Sequence, residues 1–172
     1  MDDSQLVAKA RNGSRQAARE LVLRHWPTIW RAVYGMTGRP ALAEDIAQET
    51  FARAFGALHR FDADRPLGPW LRRIAVNRTI DELRRERRLE LVDPETPGTA
   101  YEEALPDEAT IEAVRALDPD RRAVVVLRFW LDWSFEQIAD ALDVPLGTVS
   151  SRLTRALAEL RDEGGESDAR SA

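Results

Sequence analysis

Apolar residues along this chain recur at helical spacing, and no segment alternates convincingly at the two-residue period of a strand. In 143–160, DVPLGTVSSRLTRALAEL, Val149, Leu153, Leu157 and Leu160 fall at i, i+4, i+8 and i+11, one buried stripe of a helix. The same period predicts helices over 4–24, 26–36, 40–59, 69–88, 109–117, 119–131, 134–142 and 145–162. The expected fold class is all-α. Several boundaries have local causes. Ser134 with Gln137 three residues on reads as a capping box, and Asp118-Pro119 as an N-cap followed by proline at the first helical position. Pro69 can do the same for a helix beginning near Trp70, and Gly38-Arg39-Pro40 separates two helices.

The pattern lapses in 93–110, DPETPGTAYEEALPDEAT, where prolines, a glycine and dense acid read as a flexible linker. The expected organisation is a helical domain over 1–92, an acidic proline-rich linker over 93–108, a second helical domain over 109–162 and a disordered tail over 163–172. Extended, such a linker spans at most ~55 Å. Charge follows the same division. The net charge of −5 hides +5 in residues 1–92, −8 in 93–120, +1 in 121–161 and −3 in the last eleven residues. A nucleic-acid partner is therefore compatible with an acidic total. There is no cysteine for a disulfide or thiolate site, no apolar run of ~18 residues to span a membrane, and no cationic-then-apolar leader at the N-terminus. A cytoplasmic location is expected.

Within 109–162, Phe135, Ile138, Ala139 and Leu142 give one helix an inward face; Asp143-Val144-Pro145 make a short turn, and a longer helix follows. This is the layout of a helix-turn-helix, whose second helix enters a DNA major groove. A projection of 100° per residue puts Ser150, Ser151, Thr154 and Arg155 on one face, opposite the leucines, with Arg152 at its rim and Thr148 in the first turn. Hydroxyls reach phosphates or base edges, and arginine grips guanine bidentately. The preceding segment, 119–131, is apolar around nearly its whole circumference. Either neighbouring helices enclose it or part of it docks on another protein.

In 69–88, PWLRRIAVNRTIDELRRERR, the residues Trp70, Arg73, Asn77, Asp81, Arg84 and Arg88 line one helical stripe: cations, an amide and an aromatic, suited to nucleic acid with unstacked bases. A solvated face with internal ion pairs of Asp81 to Arg84 or Arg85 is the alternative. The polar loop before it, RFDADRPLGPW, carries Asp62 and Asp64. In 42–55, LAEDIAQETFARAF, the face with Asp45, Gln48, Glu49 and Arg53 suits a basic protein partner better than DNA.

These motifs, in this order, resemble the extracytoplasmic-function (ECF) group of bacterial sigma factors, the promoter-recognition subunits of RNA polymerase. The resemblance runs from about residue 5 to 161. It implies that Asp45, Gln48 and Glu49 meet the clamp helices of core RNA polymerase. Asp62, Asp64, Arg73, Asn77, Asp81, Arg84 and Arg88 would then lie at the −10 promoter element, with loop 61–68 holding a flipped base. Thr148, Ser150, Ser151, Arg152, Thr154 and Arg155 would lie at the −35 element, and 119–131 partly against the polymerase flap. Leu67 and Gly68-Pro69 depart from the aromatic and the polar pair common in relatives, and Ser150 from a position often basic. The resemblance implies core polymerase and promoter DNA as partners, and anti-sigma proteins are frequent in the family.

Neither domain should grip a promoter tightly alone; held at a fixed separation by polymerase, two weak contacts become one bivalent site. A DNA-binding regulator acting without polymerase is the rival reading, but the N-terminal half looks like neither a receiver nor a ligand domain. A protein-interaction module is a third. An enzyme finds little support, since only His25 and His59 are available and no ligand set or phosphate loop accompanies them. No metal and no cofactor is expected.

Overall fold

The computed structural model describes the backbone of residues 1–89 and 108–170 and the side chains of 1–88 and 109–162. The acidic linker expected over 93–108 lies, but for Glu108, outside the described residues. All regular structure among the described residues is helical: α1 (Asp3–Arg11), α2 (Arg15–Thr37), α3 (Pro40–Ala57), a 3-10 turn (Leu58–Arg60), α4 (Leu67–Leu89), α5 (Glu108–Ala116), α6 (Pro119–Val125), a π-turn (Val126–Trp130), α7 (Phe135–Leu142) and α8 (Leu146–Arg170).

The first helix divides where the sequence predicts continuity. Gly13 adopts φ +87°, ending α1, and Ser14 caps α2 by accepting from the Ala17 amide at 3.3 Å. Conversely, α2 runs straight through Pro27, where a break is expected. The carbonyl that Pro27 leaves without its amide partner belongs to Leu23, an exposed residue where water can serve it. The left-handed Gly38 then ends α2, its amide donating to the Tyr34 carbonyl at 2.6 Å, and Pro40 opens α3. The expected caps at Asp118 and Ser134 are both formed, the latter as a full capping box with Gln137. Helix α4 begins at Leu67, so Pro69 sits inside its first turn. At the other end α8 continues to Arg170, across Gly164 and Gly165, where a disordered tail is expected from 163. Each glycine costs a helix only ~1 kcal/mol, and propagation from a long, already formed helix is easy.

Two cores form. The first lies within α1–α4, the 3-10 turn and the loop that follows it, around the buried Trp30, Ile29, Val33 and Ile46, with Phe51, Leu58, Leu71 and Ala75. The second is shared. Met36 from α2 and Val76, Ile80 and Leu83 from α4 pack with Val124, Val126, Leu127, Trp133, Ile138 and Val149 from the C-terminal helices. This resolves the apolar segment 119–131. A fifty-residue domain cannot enclose it, but the N-terminal domain closes its open side, leaving only Phe129 exposed among its large apolar residues. The approach is close: a Cβ at Gly35 of α2 would lie 2.6 Å from Cζ3 of Trp130 and 2.9 Å from Cγ1 of Val126. Glycine is what lets the π-turn rest on α2.

Candidate nucleic-acid and protein interfaces

Helix α8 is held by its apolar stripe, with Val149 and Ala156 fully buried and Leu153 nearly so. That anchoring turns Ser150, Ser151, Thr154 and Arg155 outward together, all exposed, as the sequence projection requires. Two of the hydroxyls are satisfied within the helix: Ser151 donates to the Thr148 carbonyl and Thr154 to that of Ser150. Both can rotate to an outside acceptor. Thr148 is half-buried near the start of the helix, and Arg152, at the rim, lies 3.5 Å from Asp120 of α6. A left-handed Asp143 makes the turn that sets α7 against α8.

On α4, Leu71 and Ala75 face the first core, while Val76, Ile80 and Leu83 face the second. Asp81, Arg84 and Arg88 are exposed, and Arg73, Asn77 and Trp70 half-buried. The two arginines that the solvated-face alternative would pair with Asp81 have other carboxylates within hydrogen-bond reach. Arg84 donates to Asp120 at 2.6 Å, and Arg85 to Glu82. The loop ahead of α4 is pinned from behind: Phe61 packs on Trp70 with ring centroids 4.7 Å apart, Arg11 donates to the carbonyls of Leu58 and Phe61, and Ser4 donates to that of Ala63. Asp62 and Asp64 remain exposed on its outer side. Beside it lies a hollow of about 510 Å³ lined by Phe61, Ala63, Arg65, Pro66 and Leu67 together with Asp2–Ser4, Val7 and Arg24.

The acid-and-amide face of α3 presents Asp45 and Gln48 to solvent. Glu49 differs. It is bound by Arg78 of α4 at 2.7 Å and by Arg53 at 2.6 Å. Burial pushes its carboxyl up, but the two guanidiniums outweigh that and hold it below the ordinary range. Arg78 also binds Glu82, whose carboxyl is held low first by the hydrogen bond from Arg85 and then by Arg78. A groove of about 530 Å³ between the two helices is lined by Asp45 and Glu49 on one side and Arg78, Asp81, Glu82, Arg85 and Arg88 on the other. Residues expected for two different partners thus share one groove.

Two arginines that the sequence reading did not single out join the domains. Arg122 of α6 is 9 % exposed and donates to the carbonyls of Met36, Arg115 and Leu117, at or just beyond the C-terminal ends of α2 and α5. One cation therefore caps two helix termini from different domains. Burial pulls its pKa down to about 10, leaving it charged at neutral pH. Its position three before Val125 and four before Val126, on the buried face, is the signal that could have revealed it. Arg72 of α4 lies over the Trp133 ring, 4.7 Å from its centre.

The family comparisons fit this geometry. The Sigma-70 region 2 family matches residues 21–89 and the Sigma-70 region 4 family matches residues 107–160. The ECF RNA polymerase sigma factor SigW of Bacillus subtilis is 30 % identical over 91 % of this chain and 94 % of its own. The chain belongs to the ECF group of RNA polymerase sigma factors. The RNA polymerase sigma-E factor of Streptomyces coelicolor is 36 % identical over 84 % of each chain. Among solved structures, CnrH in complex with the cytosolic domain of CnrY matches with a TM-score of 0.70 and 30 % identity, covering 95 % of this sigma factor and 97 % of that chain. Region 2 thus comprises α2–α4 with the pinned loop, and region 4 the helix-turn-helix with α5 and α6. The sigma factor is a transcription initiation protein, not an enzyme. None of its described helices is long and apolar enough to cross a membrane, and no cluster of candidate metal ligands occurs among the described residues.

Proposed function

We propose that this sigma factor, acting in the cytoplasm, reads the −35 element with α8 and the −10 element with α4 and its preceding loop, on core polymerase bound through α3. The observation that carries the reading is the outward, exposed set Ser150, Ser151, Thr154 and Arg155 on a helix whose opposite, apolar face packs into the core through Val149, Leu153 and Ala156. In this reading Arg155 grips a base edge, the hydroxyls of Ser150, Ser151 and Thr154 reach bases or phosphates, and Thr148 and Arg152 take phosphates. Arg73, Asn77, Asp81, Arg84 and Arg88 lie along the −10 strand, and loop 61–68, with Asp62 and Asp64, holds an unstacked base beside the 510 Å³ hollow. Asp45, Gln48 and Glu49 meet the clamp helices. The π-turn with its exposed Phe129 meets the flap.

The domains taken as 1–92 and 109–162 act as one bivalent reader, since neither need bind tightly once polymerase fixes their separation. A regulator that sequesters the chain is a further partner in this reading, because the related CnrH was solved with the cytosolic domain of CnrY. Arg155→Ala tests the central assignment. It should weaken discrimination at the −35 element by ~1–3 kcal/mol while leaving −10 preference intact, measured by transcription from a randomised promoter library. An unaltered −35 preference removes Arg155 from readout.

A further inference from the structure

Helix α8 opens on two residues that the core does not use. Leu146 is its first residue and is 47 % exposed, whereas the nearby Leu142 and Val144 pack against the second core. Gly147 follows. A Cβ added there would meet nothing within 4 Å, and only Gly13 and Gly38 among the described glycines have a positive φ. Neither space nor backbone conformation therefore calls for glycine at 147. The turn itself is regular: the amides of Thr148 and Val149 donate to the Pro145 carbonyl at 2.9 and 3.3 Å. Relative to alanine, glycine weakens such a turn, and no packing inside the protein compensates. In projection at 100° per residue, Gly147 falls at the middle of the arc from Ser150 to Arg155, and Leu146 at its edge, one turn ahead of Ser150.

We propose that Leu146 reads the 5-methyl group of one thymine in the −35 element, and that Gly147 gives the clearance that brings the helix end close enough to do so. The inference rests on the assignment of α8 as the −35 reader and adds an apolar contact to its polar ones. Side chains lean toward the N-terminus of their helix, so Leu146 reaches past the helix end, the end that a helix-turn-helix sets against base edges. Of the groups a base pair shows in the major groove, only the thymine methyl is apolar. An aliphatic side chain with no hydrogen-bonding atom matches that group and no other. Leu146 touches the base, whereas Gly147 is a positioning residue. A side chain at 147 would stand between the helix axis and the groove floor, lifting away Leu146 and the polar set behind it.

Deoxyuridine keeps every hydrogen-bonding group of thymine and lacks only the methyl. On a promoter selected from a randomised −35 library with a fixed −10 region, each −35 thymine of either strand is replaced in turn by deoxyuridine. Affinity is read by competition for preassembled holoenzyme. With the parent chain, one position should lose about three- to fivefold, as expected for one buried methyl group. At that position Leu146→Ala should discriminate less than about 1.5-fold, and Leu146→Met should keep the preference. Gly147→Ala should raise Tm by about 1–4 °C yet lower affinity for the thymine promoter by about fivefold or more. Gly56→Ala in α3, where a side chain also meets open space, should raise Tm with affinity held. An element with no methyl-sensitive thymine, or equal sensitivity in the parent and Leu146→Ala, overturns the role of Leu146. A lowered Tm or parental affinity in Gly147→Ala overturns that of Gly147. Failure of the α8 assignment would show instead as an unaltered −35 preference in Arg155→Ala. If that preference changes while Leu146→Ala keeps the parental ratio of thymine to deoxyuridine affinity, only the Leu146 contact falls.

Discussion

Arg122→Met isolates the contact that ties the two domains together. Methionine keeps most of the buried volume and removes the guanidinium, leaving the carbonyls of Met36, Arg115 and Leu117 without their donor. Each hydrogen bond from a charged donor is worth ~1.5–3 kcal/mol, and a stranded buried carbonyl costs ~1–3 kcal/mol. Against this, the variant escapes the burial of a cation, a cost visible in the pKa lowered to about 10. The balance resembles breaking a buried ion pair from one side, a loss of ~3–5 kcal/mol. For a chain of this size that corresponds to a fall in Tm of roughly 6–20 °C. Thermal and urea unfolding followed by circular dichroism at pH 7 would read it, with Arg19→Met at an exposed position as the control, expected within ~0.5 kcal/mol of the parent. A loss below ~1 kcal/mol for Arg122→Met would refute the view that this cation caps both helices.

Glu82, almost fully buried between Arg78 and Arg85, has a carboxyl held below its ordinary value. Its contribution is fully present above the unfolded carboxylate pKa of ~4.3 and is lost as pH falls through the lower folded value. Glu82→Gln should thus destabilise by ~1–3 kcal/mol at pH 7, with the gap narrowing below about pH 4; a gap constant from pH 7 to 3 would count against the ion network. Asn77→Ala should reduce promoter opening, read by permanganate reactivity of unpaired thymines, while binding to core polymerase is kept. Equal loss of both would make Asn77 a structural residue.

Local signals in the sequence located most elements. The capping residues Ser134, Asp118 and Gly38 act where spacing puts them, and the leucine stripe of α8 faces inward as projected. The misses have separate physical causes. Gly13 at φ +87° ends a helix whose apolar period gives no warning, and Pro27 is tolerated because its neighbourhood is open to water. The candidate DNA-facing residues of α8 were legible because one domain alone orients them. Those of α4 were only half legible, since the partners of Arg73 and Arg84 lie 36 to 70 positions away on the other domain. For the same reason Glu49, expected to face a protein partner, is found tethered to Arg78, and Arg122 escaped notice inside an apolar run.

The most direct test is run-off transcription on genomic fragments with purified core RNA polymerase, with and without this chain. Discrete transcripts from defined start points should appear only when both are present, and the chain alone should retain little of the promoter. Absence of such transcripts, or equally tight promoter binding by the chain without polymerase, would contradict the account.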